Sequence, residues 1–233
     1  MIVPTRSYIL WFSQRVGSTV LAQMLEETGI AGRPREWLEP AAGLLGAELK
    51  RALWEHGTTD NGVLAVKYGM HAAHHRRVTE LLADAGGWQA VFPRCKHVFV
   101  TRRDKVRLAI SWWRAIQSGE WHRRGHAEPA ASPAYDYDAI AHLVLEANVR
   151  EADILAQLAQ WRVVPYEVVY EELVADFAGT VGGLLRFLEL PDAAVPAPAL
   201  ARMADDVSED WHRRFRHDWL ARQVTTDSSV GDN

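Results

Sequence analysis

The chain has a single cysteine, Cys95, which excludes an internal disulfide and any metal site built on several thiolates. It has no basic excess either: 26 Lys and Arg stand against 30 Asp and Glu, a formal charge of −4. A sequence-indifferent nucleic-acid binder needs the opposite balance to neutralise phosphates, so no nucleic-acid partner is expected. Long hydrophobic runs are also missing. The early apolar run, Tyr8–Phe12, covers five residues, where a secretory core needs about 7–15 and a membrane span about 20. The expected location is cytoplasmic, without membrane insertion. No internal repeat or long linker interrupts the chain.

What is present is ordinary globular material. At 48% hydrophobic and 24% charged, the 233 residues can bury a core. One domain is expected over residues 1–224, with a flexible tail over 225–233. Ten tryptophans are an unusual number; each suits core packing and also stacking on flat ligands. Short apolar runs predict strands at Ser7–Phe12, Val63–Tyr68, His97–Thr101 and Val163–Tyr170, the last with Pro165 marking an irregular start or an edge. Between them, helical spacing and stop signals predict helices at Ser18–Thr28, Trp37–Glu55, Ala72–Ala85, Asp104–Gln117, Asp138–Trp161 and Phe177–Leu188, and a mixed, mostly helical stretch at Ala199–Leu220. Gly86-Gly87 closes the third helix, Asp104 caps the fourth and Gly119 ends it. His122–Tyr135 and Asp192–Pro198 read as loops. Strands alternating with helices predict an α/β fold: a mostly parallel sheet with helices on both faces.

The first chemically informative segment is Ser13-Gln14-Arg15-Val16-Gly17-Ser18-Thr19, which leaves an apolar strand and opens a helix. Backbone N–H groups of such a loop, added to a helix N-terminus, form an anion site. Gly17 permits a positive φ and close backbone approach to a ligand. Ser18 and Thr19 bring hydroxyls, and Arg15 a planar cationic fork. Ser18 as a helix cap beside a turn glycine is the plainer alternative. The G-x-x-x-x-G-K-[ST] pattern of nucleotide triphosphatases is absent. A second basic segment follows the third strand: Arg102-Arg103-Asp104, then a helix carrying Ser111. Arg103 and Ser111 are placed to share a phosphate; a solvated charge pair with Asp104 and a half-buried serine are the alternatives.

Taken in order, Ser13–Thr19, then Gly32-Arg33-Pro34-Arg35-Glu36, then Arg102–Lys105 with Ser111-Trp112-Trp113-Arg114-Ala115-Ile116-Gln117, resemble the bacterial trehalose 2-sulfotransferase family. The stretch from Pro165 to Leu190 also resembles the Tyr-Glu-x-Leu strand–helix unit of sulfotransferases in general. The resemblance runs over roughly residues 7 to 220. It implies a single-domain P-loop-like sulfotransferase fold, and the donor 3′-phosphoadenosine 5′-phosphosulfate with its product adenosine 3′,5′-bisphosphate. It implies that Gln14, Arg15, Val16, Gly17, Ser18 and Thr19 hold the 5′-phosphosulfate, and that Arg103 and Ser111 hold the 3′-phosphate. Arg15 would stabilise charge on the departing bridging oxygen. Val16 departs from the small polar residue expected there. Glu36 would be the general base, although a helix-start carboxylate is the plainer reading of it. His71, four residues beyond Lys67, is the reserve base. Lys67 either lines the acceptor site or is a solvated strand end. Arg213 or Arg216, in the late basic and aromatic run, would close over the adenosine 3′-phosphate. The acceptor implied is a small molecule with a hydroxyl, carrying sugar, and Trp113 and Trp121 offer it apolar surface. The family also implies a homodimer.

No group of histidines has the spacing of a zinc site: His74 and His75 are adjacent on a helix, and His122 and His126 fall in a loop. No metal is expected. Two further readings stay open from the residues alone. One is a P-loop phosphotransferase, weakened by the missing Walker lysine. The other is a non-catalytic nucleotide-binding protein on the same fold, from which only Glu36 and Arg15 separate an enzyme.

Overall fold

The computed structural model describes residues 1–39, 44–119, 121, 133–195 and 206–230. The chain forms two compact units, Met1–Arg103 with Val149–Ala199, and Asp104–Asn148 with Leu200–Asn233.

The first unit is built on four parallel strands, β1 (Arg6–Phe12), β2 (Val63–Tyr68), β3 (Cys95–Thr101) and β4 (Tyr166–Val169), in the order β2-β1-β3-β4. Continuous apolar runs are what a parallel sheet covered on both faces demands, and β2 is buried along its whole length. The register pairs Leu10 with Lys67 and Val98, and Trp11 with Tyr68 and Phe99. Residues of one parity therefore share a face. One face carries Ile9, Trp11, Val66, Tyr68 and Phe99 into a core with Leu53, Val78, Leu82, Ile154 and Leu158. Trp11 is its centre, meeting Tyr68, Trp88, His97 and Trp161 at ring separations of 5.2–6.3 Å. Its indole N–H donates to His97 Nδ1 over 3.0 Å. Most tryptophans thus serve packing.

The helices of this unit are α1 (Ser18–Glu27), α2 (Gly46–Gly57), α3 (Ala72–Ala83), α4 (Gly87–Val91), α7 (Tyr170–Ala175) and α8 (Phe177–Phe187). The expected helix over Trp37–Glu55 begins only at Gly46. Pro40 opposes a helix at the start of this stretch, and the residues just before it pair with β2. Arg35 bridges Val66, and Lys67 N–H donates to Arg35 O over 2.8 Å. The short α4 was not anticipated; Gly86 and Gly87, both at positive φ, end one helix and start the next. β4 spans four residues and lies at the sheet edge, because Tyr170 already belongs to α7.

The second unit contains α5 (Lys105–Ser118) and α9 (Asp206–Val230). Asp104 caps α5 by accepting from Arg107 N–H at 2.8 Å, and Gly119 ends it at φ 70°. Arg107 bonds Glu209 at 2.6 Å, and buried Trp211 and Phe215 meet Tyr135 and Tyr137 through their rings. The long helix α6 (Tyr137–Gln160) carries residues of both units. α9 continues to Val230, beyond Thr225, where the tail was expected to begin. His122 and His126, with most of their loop, lie outside the described residues. Among the described residues, no helix is long and apolar enough to cross a membrane.

Candidate active site

A parallel sheet concentrates its chemistry beyond the carboxyl ends of its strands, at the point where the strand order reverses. Here that point lies between β1 and β3. The loop leaving β1 turns through Arg15 at φ 63° and Gly17 at φ 83°, both left-handed. Such a turn directs successive backbone N–H groups into one concavity. Val16 is fully buried, so the residue that departs from the expected polar one anchors the loop in the core. The helix cap is Gly17, not Ser18, and no side chain caps α1. His71, Asp104 and Asp176 do cap α3, α5 and α8. The first turn of α1 is thus left to a ligand or to water.

Two guanidinium groups meet this loop. Burial, and then the Arg102 cation, hold Arg15 below the usual arginine value. Arg102 in turn stacks over the Tyr170 ring, 4.5 Å from its centroid. The same ring forms the wall against Gly17, where an added Cβ would sit 2.7 Å from it. Tyr170 therefore fixes the loop and Arg102 together. Two like charges held close in a partly buried place are the electrostatics of a polyanion site. Neither Arg102 nor Tyr170 stood among the expected site residues. The Tyr-Glu-x-Leu unit was the available signal, since Tyr170 begins it.

At the end of β2, Lys67 is buried, with 7% of its side chain exposed, which excludes a solvated strand end. Its Nζ contacts Glu36 Oε1 at 2.8 Å and donates to Thr19 Oγ1 at 3.0 Å, and it lies 4.8 Å from the Phe12 ring centroid. Glu36 is not at a helix start; it reaches Lys67 because Arg35 pairs alongside β2. Arg35 turns the other way, holding Glu26 with two bonds of 3.0 and 2.7 Å, and Arg33 bonds Thr58 O at 2.9 Å. The structure thus joins Glu36, Lys67 and Thr19 in one cluster. A carboxylate held at one oxygen, with 39% of its side chain exposed, can accept a proton from a hydroxyl.

The other expected residues have these places. His71 is exposed and accepts from His74 N–H through Nδ1 at 3.4 Å. Arg103 is exposed and bound to the carboxylate of Glu172, while its N–H donates to Glu171 at 3.1 Å. Ser111 is partly buried on α5, and Trp113 on the same helix donates its indole N–H to Ala134 O at 3.0 Å. Trp121 is 42% exposed. On α9, Arg213 is exposed and pairs with Asp210 at 3.2 Å, and Arg216 is exposed. Sequence reasoning also missed Glu151 on α6, a buried carboxylate that accepts from Ser13 and Thr101. Nothing local distinguishes it from a solvated helix glutamate.

Comparison with known proteins gives the family of the chain. The chain is 29% identical to the trehalose 2-sulfotransferase of Mycobacterium tuberculosis (strain ATCC 35801 / TMC 107 / Erdman), over 91% of this chain and 94% of that protein. It is 28% identical to the trehalose 2-sulfotransferase of Mycolicibacterium smegmatis, over 91% and 95%. The sulfotransferase domain of the Synechococcus PCC 7002 olefin synthase shares the fold with a TM-score of 0.50 and 17% identity, covering 82% of this chain and 76% of that one. The Stf0 sulphotransferase profile matches residues 7–61 and 50–218, and the chain belongs to that family.

Proposed function

We propose that the protein transfers the sulfuryl group of 3′-phosphoadenosine 5′-phosphosulfate to a hydroxyl of a sugar or sugar-bearing small metabolite, with Glu36 as general base. The observation that carries this reading is the Glu36–Lys67–Thr19 cluster beside the uncapped start of α1. The residues present fit the donor. The left-handed loop Gln14–Thr19 and the paired cations Arg15 and Arg102 suit a phosphosulfate. The 3′-phosphate is assigned to Arg103 and Ser111, with Arg213 or Arg216 as a further cation. Arg103 would exchange its bond to Glu172 for one to the phosphate.

When bound, the donor supplies the sulfuryl group and departs as adenosine 3′,5′-bisphosphate. The protein positions and neutralises, as in phosphoryl transfer. Lys67 holds Glu36 Oε1, which leaves Oε2 to take the acceptor's hydroxyl proton. Thr19 fixes the ammonium on its other side. Arg15, on the loop, faces negative charge on the departing oxygen. The names of the two relatives, which specify trehalose, support a sugar acceptor. Trp113 and Trp121 are its proposed apolar surface, and the working form is a homodimer in the cytoplasm.

The test is a mass-spectrometric assay of trehalose and related sugars with the donor, comparing the natural protein with Glu36→Gln. That variant keeps size and removes the base, so kcat is expected to fall at least about 10²-fold with donor binding unchanged. His71→Ala is expected to do far less. Near-normal turnover in Glu36→Gln, with loss in His71→Ala, would move the base to His71.

A further inference from the structure

We propose that Glu151 is a positioning residue: it sets the spacing of the two strand ends that carry the donor-binding loops, and so lets one nucleotide engage both. The proposal rests on the sulfotransferase reading above. Its basis is the junction of β1 and β3. Ser13 Oγ donates to Glu151 Oε1 at 3.0 Å, and Thr101 Oγ1 donates to Oε2 at 2.8 Å. Ser13, Thr101 and Glu151 are 1%, 7% and 8% exposed. Phe12 pairs with Val100 in the β1–β3 register, so Ser13 and Thr101 are the next pair in step. The carboxylate therefore clamps the two strands at their carboxyl ends, where the strand order reverses. One residue beyond the clamp, each strand turns to its anion-binding part. Ser13 leads into Gln14–Thr19, and Thr101 into Arg102 and Arg103.

The choice of residue is hard to explain by packing. Along α6, Ala147, Ile154 and Leu158 share the buried stripe with Glu151 and are apolar. A leucine at 151 would continue that stripe. Burying a carboxylate is unfavourable, so this glutamate weakens the stripe unless its two oxygens do something leucine cannot. What they do is accept one hydroxyl from each strand end with a fixed bite. A ligand whose two anionic groups fall on the two loops gains only if the loops are held at the matching span; misplaced, they act as two weak separate sites. Glu151 acts through the two strand ends and not on the reacting atoms.

The test compares nucleotide affinities by calorimetric titration. Adenosine 3′,5′-bisphosphate has both phosphates and adenosine 5′-monophosphate has one. The proteins are the natural chain, Glu151→Gln, and the triple variant Ser13→Ala/Thr101→Val/Glu151→Leu. The triple variant removes both hydroxyl donors with the carboxylate that binds them, so no unmet hydroxyl is left at the two strand ends, and its folding is checked by its melting temperature. This variant is expected to lose at least about tenfold in bisphosphate affinity, while monophosphate affinity changes less than about threefold. Glu151→Gln keeps one acceptor oxygen and should fall between the two. Should the triple variant not fold, the same loss of preference in folded Glu151→Gln supports the proposal by itself. Unchanged preference for the bisphosphate in the folded variants overturns it. So does an equal weakening of both nucleotides that tracks a fall in melting temperature, which is the mark of a merely structural clamp. A natural protein that binds both nucleotides alike overturns the donor reading itself, and this proposal with it.

Discussion

Lys67 shows how much one side chain can organise. Its ammonium is buried against the ring of Phe12 at the end of β1, the hydroxyl of Thr19 in the first turn of α1 and the carboxylate of Glu36 beside the Arg35–Val66 bridge. Replacing it by methionine keeps the volume and frees Glu36. We expect Lys67→Met to lower kcat by about 10²-fold or more, read in the same mass-spectrometric assay, with a melting temperature close to that of the natural protein. His97 makes a different prediction. Burial lowers its pKa to about 4, and its Nδ1 is occupied by the Trp11 indole N–H. It is therefore neutral in the folded protein, whereas the unfolded chain takes up a proton near pH 6.5. Stability from this group is complete above about pH 6.5 and declines as the pH falls toward about 4, by on the order of 3 kcal/mol. His97→Gln keeps an acceptor for Trp11 and removes the titration. Its melting temperature should depend less on pH across that window than the natural protein's, and an identical slope would refute the assignment. Lys67 was legible in the sequence as the end of an apolar strand, and Glu36 only through the family resemblance of the turn it follows. Glu151 and the stacking of Arg102 on Tyr170 were not, because they depend on partners 50 to 138 and 68 residues away in the chain, the distances that only folding closes.

Among the elements, β1, β2 and β3 could be read from the chain because strands buried on both faces are unbroken apolar runs. The helices with a cap and a glycine stop, α5 above all, were equally readable. The start of the helix expected over Trp37–Glu55 was not. α2 begins only at Gly46, and the residues just before Trp37 are placed by the pairing of Arg35 with Val66, a tertiary contact with no local signature. That pairing is what brings Glu36 to Lys67. It also needs Gly32, at φ 71°, where an added Cβ would lie 2.5 Å from Ala65 Cβ. The loop opening α1 carries the sharper prediction. Gly17→Ala would have to hold φ 83° with a side chain driven into Tyr170. The expected cost is about 1–3 kcal/mol, seen as a lower melting temperature. A larger relative loss of adenosine 3′,5′-bisphosphate affinity should accompany it, because both loop and Tyr170 must shift. An alanine variant that binds nucleotide normally would show that the turn is dispensable.

For the molecule as a whole, assembly and ligand linkage are measurable together. The chain has a mass of 26.2 kDa. Light scattering at micromolar concentration is expected to give twice that mass, and a value near 26.2 kDa would reject the dimer. Adenosine 3′,5′-bisphosphate at a hundredfold excess over Kd should stabilise the folded protein by about 2.7 kcal/mol, and adenosine 5′-monophosphate far less; equal shifts would remove the 3′-phosphate role of Arg103 and Ser111. The bare start of α1 gives that stabilisation a location. A helix that lacks a capping side chain has its first amides open to exchange and its first turn prone to fray. A phosphosulfate seated there acts as the missing cap. The nucleotide then belongs to the fold as much as to the reaction. Amide hydrogens of Ser18 to Val20 should exchange quickly in the nucleotide-free protein and slow markedly on binding. The lifetime of the protein against proteolysis would then follow the supply of its own donor.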